Sequence, residues 1–232
     1  MFSKKKNNEK TERAGIVVAN NPTSIVSEQF RTIRTNIQFS MIDQNIKTIS
    51  VTSATPSSGK TTVVSNLAGA FAASDMKVLL VDTDMRKPTV HKVFNAPNHP
   101  GLTSLLTDRT KRIEHVVRRS YVGNLDYITC GIIPPNPSEL LNSQRMSELI
   151  REMEENYDLV VFDNPPLLAV TDAQIMATKV DGTIVVVPQG EVKKAELDQA
   201  AELLDKVKAN VLGAVMNKVD ADSDTYYYYG QD

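Results

Sequence analysis

The sequence predicts an α/β fold, a doubly wound and mostly parallel sheet with helices on both faces. Its apolar residues are concentrated in short runs, such as residues 78–81 and 184–187, which have the length and composition of buried strands. Longer segments with helical periodicity lie between these runs. Because parallel strands need a crossover connection, usually a helix, this alternation favours a parallel sheet that is covered on both faces.

The individual elements follow from the spacing of the apolar residues. An amphipathic helix is predicted first, over residues 25–41, where Ile25, Phe30, Ile33 and Ile37 recur at steps of three to five positions. Residues 83 to about 120 are predicted as mixed helix and loop. Strands are predicted at residues 48–52, 78–82, 125–129, 159–163, 183–187 and 211–217. Helices are predicted at residues 60–73, 144–154, 172–178 and 193–207.

Length and composition are those of one large domain with appendages. The chain has 232 residues, 41% of them hydrophobic, which is enough for a substantial core. We expect a flexible leader at residues 1–20, a domain at residues 21–219 and a mobile, tyrosine-rich tail at residues 220–232. The net charge of −2 provides no bulk positive field for nucleic acid. A single cysteine, Cys130, and apolar runs far shorter than the roughly 20 residues of a membrane span favour the cytoplasm.

A phosphate-binding loop is predicted between the first strand and the helix that follows it. Residues 54–62 have the sequence ATPSSGKTT, the P-loop pattern with Ala54 in place of the first glycine. Gly59 allows the backbone N–H groups to face inward, and Lys60 adds a positive charge at a helix N-terminus. Thr61 offers its hydroxyl to Mg²⁺. The predicted phosphate-binding residues are Thr55, Pro56, Ser57, Ser58, Gly59, Lys60, Thr61 and Thr62.

Three aspartates follow apolar strands and are predicted to converge on the same edge. Asp82 and Asp84 end one strand and Asp163 ends another, and the carboxyl ends of parallel strands share one edge of a sheet. Carboxylates beside a triphosphate favour Mg²⁺, and a spare carboxylate can orient or deprotonate an attacking hydroxyl. Asp82 and Asp84 point to opposite faces if the strand is extended, so the spacing leaves open which of them meets the metal.

Together these segments resemble the Walker A, A′ and B motifs of the bacterial tyrosine kinases, within the deviant P-loop class that includes the MinD and ParA ATPases. Further blocks extend the likeness over nearly the whole chain: RKP at residues 86–88, PPNP at 134–137, DNPP at 163–166 and TDA at 171–173. The likeness is strongest to kinases of capsule and exopolysaccharide loci in Gram-positive bacteria. It implies phosphate and Mg²⁺ binding by Lys60 and Thr61, a base role for Asp82, metal support from Asp84 and Asp163, and a catalytic role for Arg86.

Two positions depart from the patterns of this class. Asn164 follows Asp163 where the tyrosine kinases commonly have threonine, so an amide replaces a hydroxyl. Thr55 stands where MinD and ParA proteins carry a signature lysine that reaches across a dimer. The absence of this lysine disfavours the alternative hypothesis, a MinD/ParA-like ATPase that acts as a nucleotide-switched assembly scaffold. A nucleotide-binding partner protein without turnover is a third hypothesis.

The first predicted helix carries Glu28, Arg31 and Arg34 along one flank, at positions i, i+3 and i+6. This ExxRxxR pattern resembles the oligomerisation motif of the bacterial tyrosine kinases. The resemblance implies a homo-oligomeric ring in which each subunit presents its tail to a neighbour's active site. The alternative is a solvated helix face with a weak Glu28–Arg31 pair.

The tail ends in four adjacent tyrosines, Tyr226, Tyr227, Tyr228 and Tyr229, in a segment without apolar periodicity. We expect them to be exposed phosphoacceptors. Phosphoryl transfer requires the acceptor hydroxyl in line with the γ-phosphate, and a flexible tail can deliver a hydroxyl there whereas a buried tyrosine cannot. A sticky aromatic tail that packs on a partner is the alternative.

The segment Asn217-Lys218-Val219-Asp220 matches the NKxD motif of GTPases. Asparagine at this place also contacts adenine in the MinD-like class, so Asn217 is a predicted nucleotide-binding residue, with ATP expected. The resemblance further implies protein tyrosine substrates and a transmembrane activator that holds the chain at the inner face of the membrane.

Overall fold

One seven-stranded sheet forms the centre of the structure, a computed structural model that describes residues 15–219. The strands lie in the order β3-β4-β2-β5-β1-β6-β7. All neighbours are parallel except β3 and β4. The strands are β1 (Thr48–Ser53), β2 (Val78–Asp82), β3 (Arg118–Arg119), β4 (Leu125–Ile128), β5 (Leu159–Asp163), β6 (Gly182–Pro188) and β7 (Val211–Asn217). The predicted doubly wound α/β class is confirmed.

Helices cover both faces of this sheet. They are α1 (Val17–Asn20), α2 (Ile25–Gln44), α3 (Lys60–Ala72), α4 (Val90–Val93), α5 (Leu102–Thr107), α6 (Pro137–Asn142), α7 (Gln144–Asn156), α8 (Asp172–Ala177) and α9 (Lys194–Lys206), with a 3₁₀ turn at Ile113–His115. The sequence of strand β2 is apolar up to Asp82 because both of its faces are buried. Leu80 packs in the core on the α2 and α3 side, and Leu79 and Val81 pack in the core on the α5 and α7 side.

Helix α2 begins and ends at recognisable capping residues. The Ser24 hydroxyl accepts a hydrogen bond from the N–H of Ser27 (3.2 Å). At the other end Asn45 takes a left-handed conformation, with φ of 50°, and its N–H bonds to the carbonyl of Met41. The helix therefore continues three residues beyond the predicted end at residue 41.

The prediction of a flexible leader through residue 20 is wrong for the part that the structure describes. Ile16 is completely buried, and its N–H donates to the hydroxyl of Tyr121 (2.9 Å). Its side chain lies so close to Gly69 in α3 that a Cβ on that glycine would be 2.7 Å away. The N–H of Val18 donates to Asn66 (3.3 Å). Residues 16–20 therefore belong to the domain, because Ile16 and Val18 supply apolar surface that α3 buries.

The region predicted as mixed helix and loop contains α4, α5, the 3₁₀ turn and the two-residue strand β3. Helix α6 also lay outside the prediction. None of the helices within residues 15–219 combines the length and the apolar character that a membrane crossing demands.

Candidate active site

The phosphate loop connects β1 to α3 and is held in shape by the end of β7. Gly59 has φ of 77°, and a Cβ at this position would lie 2.3 Å from the Nδ2 of Asn217, so glycine is required here. Asn217 Nδ2 donates to the carbonyl of Ser58 (2.8 Å). Lys218, which the sequence analysis did not single out, donates to the carbonyl of Ser57 (2.9 Å). The segment at 217–218 therefore braces the loop, and base contact by Asn217 remains a prediction.

Lys60 and Thr61 converge on Asp163, as the sequence predicted for the shared edge of the sheet. Lys60 is 7% exposed, and its ammonium group pairs with Asp163 Oδ1. The hydroxyl of Thr61 donates to Asp163 Oδ2 (2.6 Å). Because that hydroxyl proton is used, the hydroxyl of Thr89 donates to Thr61 at 2.7 Å. Thr89 is a site residue that no motif indicated.

Asp82 lies beside Asp163, because the two residues are register partners on β2 and β5. It is completely buried, and its Oδ2 accepts the N–H groups of Thr89 (3.1 Å) and Val90 (3.0 Å). Burial and the neighbouring charge of Asp163 raise the pKa of Asp82 to about 8. Burial also raises the pKa of Asp163, although Lys60 and Thr61 oppose this effect.

Asp84 and Arg86 occupy the loop that follows β2. Asp84 is 7% exposed and accepts the backbone N–H groups of Arg86 (3.3 Å) and Lys87 (3.0 Å). The guanidinium of Arg86 makes a two-point contact with the buried Asp172, at 2.9 Å and 3.1 Å. It also donates to Ser138 (3.2 Å). Arg86 thus ties this loop to α6 and α8, and its predicted catalytic role stays a prediction.

Asn164 forms a buried bridge among three strands. Its Nδ2 donates to the hydroxyl of Ser50 (2.9 Å) and to the carbonyl of Phe162 (3.1 Å). Its Oδ1 lies 2.9 Å from the hydroxyl of Thr83, which makes its shorter bond to the carbonyl of Asp163 (2.7 Å). The amide that replaces the family threonine therefore links β1, β5 and the residue that follows β2.

The side chains present fit a magnesium ion that is shared with phosphate oxygens. Asp82, Asp84 and Asp163 are all buried, and Lys60 supplies the buried positive charge that faces them. Hard oxygen donors in excess of positive charge suit Mg²⁺, which is commonly held by one or two carboxylates together with substrate phosphates. No group of three or more His, Cys, Asp or Glu residues suited to a metal occurs within residues 15–219, so phosphate oxygens would have to complete the site. Thr61, Asp84 and Asp163 are the residues that would hold the ion.

The predicted oligomerisation residues lie on α2. Glu28 and Arg31 form an ion pair, and Arg31 also donates to the carbonyl of Pro22 (2.7 Å). Arg34 donates to the carbonyl of Ala70 at 3.0 Å, and its Nε is buried without a partner among the described residues. The four tail tyrosines lie outside the described residues.

The raised pKa of Asp82 predicts a pH dependence of stability in the metal-free protein. The folded protein keeps this proton up to about pH 8, whereas the unfolded chain loses it near pH 4. The free energy of unfolding should therefore fall as pH rises from about 4 to 8. Asp82→Asn should flatten this slope in urea titrations with a chelator present. An unchanged slope would contradict the account of Asp82.

A P-loop that opens a helix, with aspartates at the ends of the neighbouring strands, defines a P-loop nucleotide-binding protein. Consistent with this class, residues 46–217 match the family model described as AAA domain. The chain belongs to the bacterial tyrosine-protein kinases and is an enzyme of that class, a tyrosine-protein kinase. It is 45% identical to tyrosine-protein kinase YwqD of Bacillus subtilis, over 97% of this chain and 95% of the relative. It is 41% identical to the putative tyrosine-protein kinase CapB of Staphylococcus aureus, over 94% of this chain and 96% of the relative.

Solved structures agree with this assignment. The kinase domain of the Escherichia coli tyrosine kinase ETK superposes with a TM-score of 0.85 at 36% identity, and the match covers 93% of this chain and 84% of that one. The septum site-determining protein MinD of Pyrococcus horikoshii, solved with Mg-ADP, has a TM-score of 0.64 at 22% identity over 76% of this chain and 72% of that one. That likeness shows a shared fold alone.

Proposed function

We propose that the chain is an ATP- and Mg²⁺-dependent tyrosine kinase that phosphorylates residues 226–229 of a neighbouring copy. By doing so it would regulate the synthesis and export of capsular polysaccharide or exopolysaccharide. The observation that carries the proposal is the convergence of Lys60, Asp82 and Asp163 beside the phosphate loop. Lys60 supplies a cation for phosphate, Asp163 supplies a carboxylate for the metal, and Asp82 supplies a carboxylate whose pKa is raised.

The residues of the site would divide the work of phosphoryl transfer. Lys60 would exchange its contact with Asp163 for phosphate oxygens, and the loop N–H groups would hold the same phosphates. When bound, Mg²⁺ neutralises charge on the triphosphate. Asp82 would accept the proton of the attacking tyrosine hydroxyl. In the metal-free protein its pKa of about 8 keeps Asp82 largely protonated at neutral pH, so the base role requires the ionised form, which a cation bound nearby would favour.

Replacing Tyr226–Tyr229 with phenylalanine should remove most of the phosphotyrosine formed with Mg²⁺ and ATP. Of the other three tyrosines, Tyr127 and Tyr157 are buried, and Tyr121 is exposed with its hydroxyl accepting the N–H of Ile16. Mass spectrometry of the terminal peptide provides the measurement. Tyr121→Phe is the matched control and should leave the signal intact. A full signal in the variant without tail tyrosines would refute the tail as acceptor.

We propose that copies of the chain assemble into a ring through α2. Replacing Glu28, Arg31 and Arg34 with alanine should yield a smaller particle in light scattering, because the charged flank of the helix is lost. Thr32→Ala with Thr35→Ala changes exposed residues of the same helix and is the control. An unchanged mass in the triple variant would count against the interface.

The proposed partner is a transmembrane activator whose cytoplasmic segment holds the kinase at the inner face of the membrane. Such a segment could favour the conformation that binds nucleotide and metal. Kinase assays should therefore be run with and without that segment.

A further inference from the structure

An exposed apolar pair stands at the edge of the sheet that carries the active site. Ile132 and Ile133 follow β4 and are 65% and 56% exposed. Strand β4 is the parallel neighbour of β2, with Ile128 opposite Val81, so the chain leaves β4 beside Asp82 and Asp84. Charge from these two aspartates adds to burial in raising the pKa of Cys130, the second residue before Ile132.

The far end of the same loop is also attached to the active-site region. Ser138, at the start of α6, binds Arg86 at 3.2 Å, and Arg86 lies two residues after Asp84. Residues 132–136 therefore connect the strand beside β2 to a helix whose first turn is bonded to Arg86. Lys87 is exposed on the loop that follows β2, and Arg86 beside it is paired with Asp172, so Lys87 supplies the positive charge of this region.

The loop is fixed where it leaves β4. Asn98 Nδ2 donates to the carbonyl of Gly131 (2.6 Å). A Cβ on Gly131 would lie 2.3 Å from the hydroxyl of Thr103, and the φ of Gly131 is +93°. Pro134 and Pro135 then restrict the backbone after the isoleucines. An apolar pair that is held out to solvent on a fixed loop is suited to binding, because little conformational freedom is lost on contact.

We propose that Lys87, Ile132 and Ile133 form an acceptor surface that binds the 220–232 segment of a second copy. The composition of that segment matches the surface: it has four tyrosines, four aspartates and neither lysine nor arginine. Asp222 and Asp224 precede the tyrosines and would lie against Lys87. In an extended peptide adjacent side chains point to opposite faces, so one tyrosine can enter the active site while its neighbours pack on the isoleucines.

This inference rests on the proposed function and assigns its acceptor specificity. The surface would select acidic peptides with several aromatic residues. Two acidic groups close to this surface in sequence are already engaged: Asp84 is buried, and Glu139 accepts a hydrogen bond from Asn136 (2.6 Å).

The test is the affinity of a fluorescent peptide with the sequence of residues 220–232, measured by anisotropy. The protein is the full chain with Tyr226–Tyr229→Phe, in the presence of Mg²⁺ and a non-hydrolysable ATP analogue. Ile132→Ser with Ile133→Ser should weaken peptide binding about tenfold, which corresponds to about 1.4 kcal/mol, with the affinity for the nucleotide unchanged. Val211→Ser with Met216→Ser alters two comparably exposed apolar residues of β7 and should have no effect.

Charge is tested separately. Lys87→Glu should weaken binding of the peptide, and Lys206→Glu, at an exposed lysine of α9, should not. A peptide in which Asp222 and Asp224 are replaced by asparagine should lose sensitivity to Lys87→Glu. Unchanged peptide affinity in both the isoleucine and the Lys87 variants would overturn the acceptor surface. Unchanged affinity together with a smaller particle would make the isoleucine pair a contact between copies instead.

Kinetics with the same peptide separate this inference from the proposed function. A peptide that binds through the surface but is never phosphorylated would overturn the kinase proposal and leave the surface in place. A peptide that is phosphorylated with the same KM by the parent protein and by the isoleucine variant would overturn the acceptor surface and leave the kinase proposal in place.

Discussion

Lys60→Met should lower the rate of tyrosine phosphorylation by about 100-fold or more. Lys60 is the buried cation that faces Asp163, and methionine keeps most of its volume while it removes the charge. Loss of one preorganised group that stabilises transition-state charge commonly costs about 10²–10³ in rate. The measurement is phosphotyrosine formed on the terminal peptide under saturating Mg²⁺ and ATP.

Lys92→Met provides the matched control for this prediction, because Lys92 is exposed on α4. Lys60→Met also leaves the buried Asp163 without its partner, so circular dichroism must show that the variant is folded at the assay temperature. A folded Lys60→Met protein with the parental rate would contradict the site described above.

Arg86→Ala should lower the free energy of unfolding by about 3 kcal/mol. Asp172 is completely buried, and the side chain of Arg86, which pairs with it, is 41% exposed. Removing one partner of such a pair leaves an uncompensated buried charge, which typically costs about 3–5 kcal/mol. We expect the lower end because Ser138 still donates to Asp172 at 2.6 Å. Urea denaturation followed by circular dichroism measures the change.

Two further variants test the reason for that loss. Arg86→Lys should recover only part of it, because an ammonium group cannot make the two-point contact. Arg86→Ala combined with Asp172→Ala should be more stable than Arg86→Ala alone, because the buried charge is removed as well. A change of less than about 0.5 kcal/mol in the Arg86→Ala protein would show that the pair does not hold the loop.

The central strands and long helices were predictable because their residues carry a strong local pattern. Each predicted strand was found within two residues of its bounds. Strands β2 and β5 are buried on both faces and are apolar up to their final aspartate, whereas β7 is largely exposed and was recognised by its apolar residues alone. The four-residue helix α4 and the two-residue strand β3 are too short for any periodicity. The burial of Ile16 could not be foreseen, because it depends on packing against Gly69 of α3, a contact that only the tertiary structure reveals.

The residues of the candidate site likewise fall into those that the sequence predicted and those that it did not. The meeting of Lys60, Thr61 and Asp163 followed from a motif and from the geometry of parallel sheets. Thr89 and Asp172 were not identified as site residues, because their contacts with Thr61 and Arg86 join segments far apart in sequence. For Asp172 the TDA block provided a signal, although it did not indicate the bond to Arg86.

Calorimetric titration of the purified chain with ATP, with and without Mg²⁺, tests the central claim most directly. A parallel series includes the cytoplasmic segment of the activator. The account predicts saturable binding that is tighter with Mg²⁺ and strongly weakened by Lys60→Met. A chain that takes up neither ATP nor GTP with Mg²⁺, even in the presence of the activator segment, would contradict it.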